Sequence, residues 1–253
     1  MKSIYIKELN SFFSSIVGYV ALLIFLVICG IILWVIQTNN FTNNILQDGF
    51  ASLDPFFSIA GVIMLFLVPA ITMRSFPDEF RGGTIEWLST KPLRDTDIIL
   101  GKYFAAITLV AFALLPTLVY VVTLSSLSMV DGNLDTGAII GSYIGLYLSA
   151  CAFTAIGIFC SSLTSNQIVG FLVALFANAW FYWGFEQLGN IPQFIGEVDY
   201  YLTQVGMSFH YNSISRGYID TRDVVYFLSV IILFIALTRL SLNRRTWDTA
   251  QQD

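Results

Sequence analysis

The chain has 253 residues, of which 56% are hydrophobic and only 11% charged, with a mean hydropathy of +0.74 and a formal charge of −5. A soluble domain carries about 25% charged residues, so these values exclude an ordinary water-soluble fold and point to lipid as the solvent. The three cysteines, Cys29, Cys151 and Cys160, all sit in apolar runs; an odd number so placed argues against a disulfide framework and a metal cluster, and fits small packing residues.

Along the chain, residues 1–16 come first. Tyr5, Leu9, Phe12, Phe13 and Ile16 fall on one helical face, and Lys7, Asn10, Ser11 and Ser14 on another. That pattern predicts an amphipathic helix lying in the membrane interface. The next apolar run is too long for a signal-peptide core and lacks a small-residue cleavage site, so it is read as a retained span. A bilayer core of about 30 Å needs about 20 helical residues, and six segments qualify: 17–36, 56–73, 103–127, 138–160, 167–185 and 224–240. Backbone groups in lipid must pair internally, which makes each a helix. The expected fold is a single all-α integral membrane domain with six transmembrane helices. Pro69 and Pro116 are expected to kink the second and third spans. Gly137, Gly141, Gly145 and Ser149 stripe the fourth span at four-residue spacing; close packing within the chain is favoured over a dimer seam. The aromatics of "AWFYWGFEQ" read as an interfacial belt at the end of the fifth span, with Glu186 reaching the outer headgroups. The connection 187–223 is long enough to hold short helices, and Asp220 is a suitable N-cap for the last span.

Basic residues set the orientation. Ten of the twelve lie on one side: Lys2 and Lys7, five in 74–102, and Arg239, Arg244 and Arg245. The other side has Arg216 and Arg222 against nine acids. Both termini and 74–102 are therefore expected in the cytoplasm and 187–223 outside. The segment 74–102 concentrates ten of the chain's 29 charges. Pro77 followed by Asp78 and Glu79 suits the first turn of a short helix, which Gly82 and Gly83 end. Thr84 can cap a turn carrying Ile85, Glu86, Trp87 and Leu88, stopped before Pro92, and Asp95 can cap the helix leading into the third span. The segment thus reads as a plug of short helices with apolar knobs and mixed charge, suited either to docking a protein or to lying on headgroups.

Catalytic constellations are absent from the sequence. His210 is the one histidine, and its neighbour Ser208 does not make a triad. There is no G-x-S-x-G elbow and no pair of acids within a span. Gly101–Lys102 is not a P-loop, because Thr96 stands where the first glycine belongs and Tyr103 where Ser or Thr belongs. Driven work would need a partner's energy. No catalytic, cofactor or metal site and no nucleic-acid partner are expected.

"DEFRGGTIEWLSTKPLRDTDIILGKY" resembles the cytoplasmic signature of ABC-2 type transporter permeases: an acidic cluster (Asp78, Glu79), Gly83–Thr84, Glu86 with Leu88, Pro92–Leu93, and Gly101–Lys102. "GIFCSSLTSNQIVGF" and "SRGYIDTRDVVYFLS" are similar to further stretches of that family, so the resemblance covers nearly the whole chain. The start, "MKSIYIKELNSFFSSIVGYV", and the overall likeness are most similar to permeases associated with bacterial gliding motility. The resemblance implies a non-catalytic, multi-pass subunit of the bacterial inner membrane. Its implied partners are two copies of a cytoplasmic ABC ATPase, a second permease chain, and an auxiliary membrane protein. It assigns ATPase coupling to Asp78, Glu79, Gly83, Thr84, Glu86, Trp87, Leu88 and Pro92. The alternative is a non-transporting membrane anchor of a motility or secretion machine. The sequence identifies no substrate.

Overall fold

The computed structural model describes residues 1–35, 52–83, 94–128, 134–192, 196 and 198–250, without the side chains of Val17 and 244–250. The described residues form helices and no strand, as an apolar chain requires where no water is present to pair its backbone. Five helical stretches are long and apolar enough to cross a membrane: Asp54–Arg81, Asp95–Leu127, Thr136–Leu163, Gln167–Gly189 and Thr221–Asn243. A bent pair at the N-terminus brings the number to as many as six.

The bent pair consists of α1 (Lys2–Phe13) and α2 (Ile16–Trp34), whose axes differ by 68°. Ser15 takes an extended conformation (ψ 129°) and breaks the helical path. Gly18 lets the elbow close: a Cβ there would lie 2.7 Å from the Phe12 carbonyl oxygen. α1 is thus a separate helix rather than a frayed extension of the span. Leu9, Phe12 and Phe13 pack on the core, and the Tyr5 hydroxyl pairs with that of Thr108 at 3.1 Å. Ile16 departs from the expected face; it belongs to the first turn of α2 and is 81% exposed.

α3 (Asp54–Thr72) runs unbroken through Pro69 and leads into the short α4 (Pro77–Arg81). α5 (Asp95–Leu114) and α6 (Leu118–Leu127) form the next crossing. Pro116, which has no N–H to continue the ladder, sits in a 3₁₀ turn over Leu115–Thr117. The buried Thr117 hydroxyl donates to the Leu114 carbonyl, and Tyr143 donates to that of Thr117, so the break leaves both carbonyls paired.

α7 (Thr136–Leu163) is the centre of the bundle, with 78% of its apolar window buried. It is built from small residues, which let neighbours approach closely where lipid offers no hydrophobic drive to associate. A Cβ on Gly141 would stand 2.4 Å from the Ile214 carbonyl oxygen, and one on Gly145 3.1 Å from the Tyr211 ring. The stripe at four-residue spacing therefore packs within the chain. Its partner is α11 (Met207–Ser215), which follows the short α10 (Asp199–Val205). Gly217, at φ +84°, completes the contact by approaching the Gly137 backbone, a conformation that glycine adopts without penalty.

α8 (Gln167–Ala179) passes through a π-helical turn at Trp180–Gly184 into α9 (Phe185–Gly189). The aromatics there divide. Trp180 and Trp183 are exposed, as an interfacial belt requires, but Tyr182 is buried and meets Phe153 edge to face. α12 (Thr221–Ala250) closes the bundle; Asp220 caps it by accepting from the Arg222 amide at 3.0 Å. Only 22% and 28% of the apolar windows of the fifth and last crossings are buried, and side chains such as Phe176 and Ile232 face outward. In water this surface would be untenable; in a bilayer it suits contact with lipid or with another membrane chain.

Candidate functional site

The region around α4 holds the molecule's densest charge. Pro77 opens α4, Asp78 and Glu79 fill its first turn, and Gly83 comes after it at φ +62°, the left-handed conformation that ends helices. Phe76, fully buried, anchors this turn, and its amide donates to the Ser161 hydroxyl at 3.2 Å.

The two acids diverge. Asp78 is exposed and accepts from the side-chain amide of Gln167 in the first turn of α8. Glu79 turns inward and is 6% exposed. Its Oε1 lies 2.9 Å from Lys102 Nζ and 3.1 Å from Lys7 Nζ. Lys102 also pairs with Glu8 at 2.7 Å and donates to the Ser75 carbonyl, with the Phe76 ring centroid 5.2 Å away. An ammonium has three donors, and three acceptors meet it here. Lys102 is only 2% exposed; a buried charge is tolerable when it is paired and every donor is used.

Gly101 explains why α1 reaches this point. A Cβ there would press on Ile4 at 3.1 Å and on the Met1 carbonyl, so glycine allows α1 to lie directly against α5. The Gly-Lys pair thus has two physical tasks, one of close approach and one of charge. α1, α4 and α5 are joined through residues 72 to 94 positions apart. The network is what a single-sequence reading missed: the pattern showed that Glu79 begins a helix, but no spacing rule links it to Lys7, Glu8 or Lys102.

Of the eight residues read as coupling positions, Asp78, Glu79 and Gly83 lie in this cluster. Thr84, Glu86, Trp87, Leu88 and Pro92 lie outside the described residues. Asp95, expected to cap the next helix, is its first helical residue, with Arg94 at the cap. The first two resembling stretches meet through Asp78–Gln167, and Phe76, just before the first, meets Ser161 of the second. The third packs at the opposite end, where the Ser142 hydroxyl donates to the Ser215 carbonyl.

That opposite end carries the other polar cluster. Ser208 donates to Glu186 Oε2 at 2.7 Å, not to His210. His210 places Nδ1 2.7 Å from Asp223 Oδ1 and Nε2 2.8 Å from the Gln204 carbonyl, and stacks on Tyr226 with centroids 3.9 Å apart. Both ring nitrogens are engaged, so neither is open to a substrate. The pairing ties α10, α11 and α12 together. Tyr211 nearby is raised by burial above the usual phenol range. Among the described residues no group of acidic, histidine or cysteine side chains has a metal-binding arrangement.

No curated protein matches the chain. Residues 14–179, well over half of the chain and reaching from the elbow before α2 to the end of α8, match the family model described as ABC-2 family transporter protein. The chain, a multi-pass helical bundle, therefore belongs to the ABC-2 family of transporter membrane components.

Proposed function

We propose that this chain is the permease subunit through which a partner ABC ATPase drives export or force transduction, with 74–102 as the coupling element. The observation that carries the reading is the buried Lys102–Glu79–Glu8 cluster, which fastens the start of that segment to both α1 and α5. A push on the segment would be borne by a helix at the membrane surface and by a crossing helix together. In this reading Asp78, Glu86, Trp87 and Leu88 act as contacts, with Thr84 and Pro92 shaping the segment between them. Glu79, being buried, acts inside the lever, and Gly83 ends its first helix. ATP hydrolysis belongs to two copies of the ATPase.

The 253 residues are proposed as one permease domain of the bacterial inner membrane, with both termini and 74–102 in the cytoplasm. Cysteine labelling from outside, in a cysteine-free background, should reach Gln193 and miss Thr84; the reverse would overturn the orientation. A second permease chain is proposed along the first, second and fifth crossings, whose outward faces include Ile24, Phe66 and Phe176. Resemblance supports a role in gliding motility with an auxiliary membrane protein. The alternative, a membrane anchor without transport, differs in one respect: an anchor would hold the ATPase without altering its turnover.

The test is retention of the ATPase and ATP turnover in the reconstituted complex. Trp87→Ala or Glu86→Lys should leave membrane insertion intact, because the segment lies outside the crossings, and should release or uncouple the ATPase. A Trp at a docked site is worth about 2 kcal/mol or more. Retention and turnover equal to the parent chain in both variants would overturn coupling.

A further inference from the structure

We propose that the elbow between α1 and α2 holds a membrane phospholipid, with its phosphate on Arg74 and an acyl chain lying between α2, α3 and α8. Two cavities carry the inference. One, of about 170 Å³, opens at the elbow; Ser11, Ser15 and Arg74 line one part of its polar wall, and the ion-paired Lys7, Glu8, Glu79 and Lys102, with Asp78 beside them, line the rest. The other, of about 480 Å³, is an almost wholly apolar groove lined by residues such as Ile24, Phe25, Phe66, Leu67 and Phe171. Ala21 and Ala70 line both, so polar pocket and apolar groove adjoin. A polar end continued by an apolar trough at a membrane surface has the shape and polarity of a lipid.

Arg74 sets the headgroup chemistry. Lys102 is matched by Glu8 and Glu79, and Lys7 by Glu79. Among the described residues Arg74 has no carboxylate within ion-pair distance; its Nη1 donates to Ser15 at 3.1 Å, and its Nε is buried without a hydrogen-bond partner. Among the described residues only one of the five guanidinium donors is used, and a planar fork of this kind suits a phosphate oxygen. Ser15 is drawn to Arg74 and makes no side-chain cap on α2; the Gly18 amide donates to the Ser15 carbonyl, and the positive end of that 19-residue helix favours an anion nearby. Small residues where the cavities meet, Ala21 and Ala70, keep the passage open.

The inference rests on the chain's being a membrane protein and not on ATPase coupling. A variant that loses lipid while keeping the ATPase would separate the two. The groove lies on the face proposed for the second permease, so the assembled complex is the sample. Native mass spectrometry would be run after equilibration in vesicles of equal parts phosphatidylglycerol and a neutral glycosyl diacylglycerol with the same acyl chains. The intact complex should retain phosphatidylglycerol in preference to the glycolipid. Arg74→Gln should lower that occupancy about tenfold, the loss of one charge-assisted contact, and Ala70→Phe should lower it for both lipids. Millimolar inorganic phosphate should not displace the lipid; displacement would show a free-phosphate site and overturn the lipid assignment. Equal retention of the two lipids by the parent complex would overturn the phosphate contact, and this comparison needs no variant to fold. Occupancy in Arg74→Gln equal to the parent would overturn the role of Arg74.

Discussion

Two junctions of this bundle, one at each end, are held by different physics. At the α4 end, α1, α4 and α5 are joined by charge: a buried ammonium, two carboxylates and a backbone carbonyl. At the α11 end, α7 and α11 are joined by contact, with Gly141 and Gly145 against Ile214 and Tyr211. A buried charge network resists the removal of one partner, because what remains is an uncompensated charge. A glycine-lined contact resists the addition of a single methyl. The first arrangement suits a junction that transmits a push, because losing register there is costly. The second suits a fixed cap over the bundle's other end.

Removing one charge should therefore have the largest effect. Lys102→Ala is expected to cost about 3–5 kcal/mol, because it takes the buried ammonium away from both Glu8 and Glu79, and thermal unfolding in detergent would read it. The pair Lys102→Met with Glu79→Gln should recover part of that loss, as a neutral replacement removes both sides of the problem. Next is Gly141→Ala, expected to cost about 1–3 kcal/mol through a clash with backbone that no side-chain rotation relieves; the same melt, with proteolysis of 187–223 as a local probe, would check it. Lys7→Ala should cost under about 1 kcal/mol, since its side chain is 60% exposed and its pairing with Glu79 is screened. Smallest is Tyr211→Phe. The hydroxyl is buried with no hydrogen-bond partner, so its loss should leave the melting temperature unchanged or slightly raised.

The contrast also marks what could be read in the sequence. The α11 end was legible in part: small residues recurring at four-residue spacing announce a close helix contact, although only the fold shows that the contact is with α11. Asp220 as a cap and Pro77 opening α4 could be read from local rules, because a cap and its helix are neighbours in sequence. The charge cluster was not legible as a unit. Glu79 could be read as a first-turn acid, but not the direction it takes, since that depends on partners that lie 23 and 72 residues away. The π-helical turn at Trp180–Gly184 was equally hidden, because one extra residue in a turn leaves no periodic trace. It shifts the register of the residues beyond it, and Glu186 among them meets Ser208. Pro116 marked its own break, whereas Pro69 did not interrupt α3.

The central claim is that the start of 74–102 and α1 move as one body. Spin labels at Ser3 and Arg81, both exposed, would report the distance between α1 and α4 in the complex with and without a non-hydrolysable ATP analogue. A distance distribution unchanged between the two states, and broadened by Lys102→Met, is the predicted result. A shift of several ångströms between the states in the parent chain would show that α1 and α4 move independently and would contradict the account.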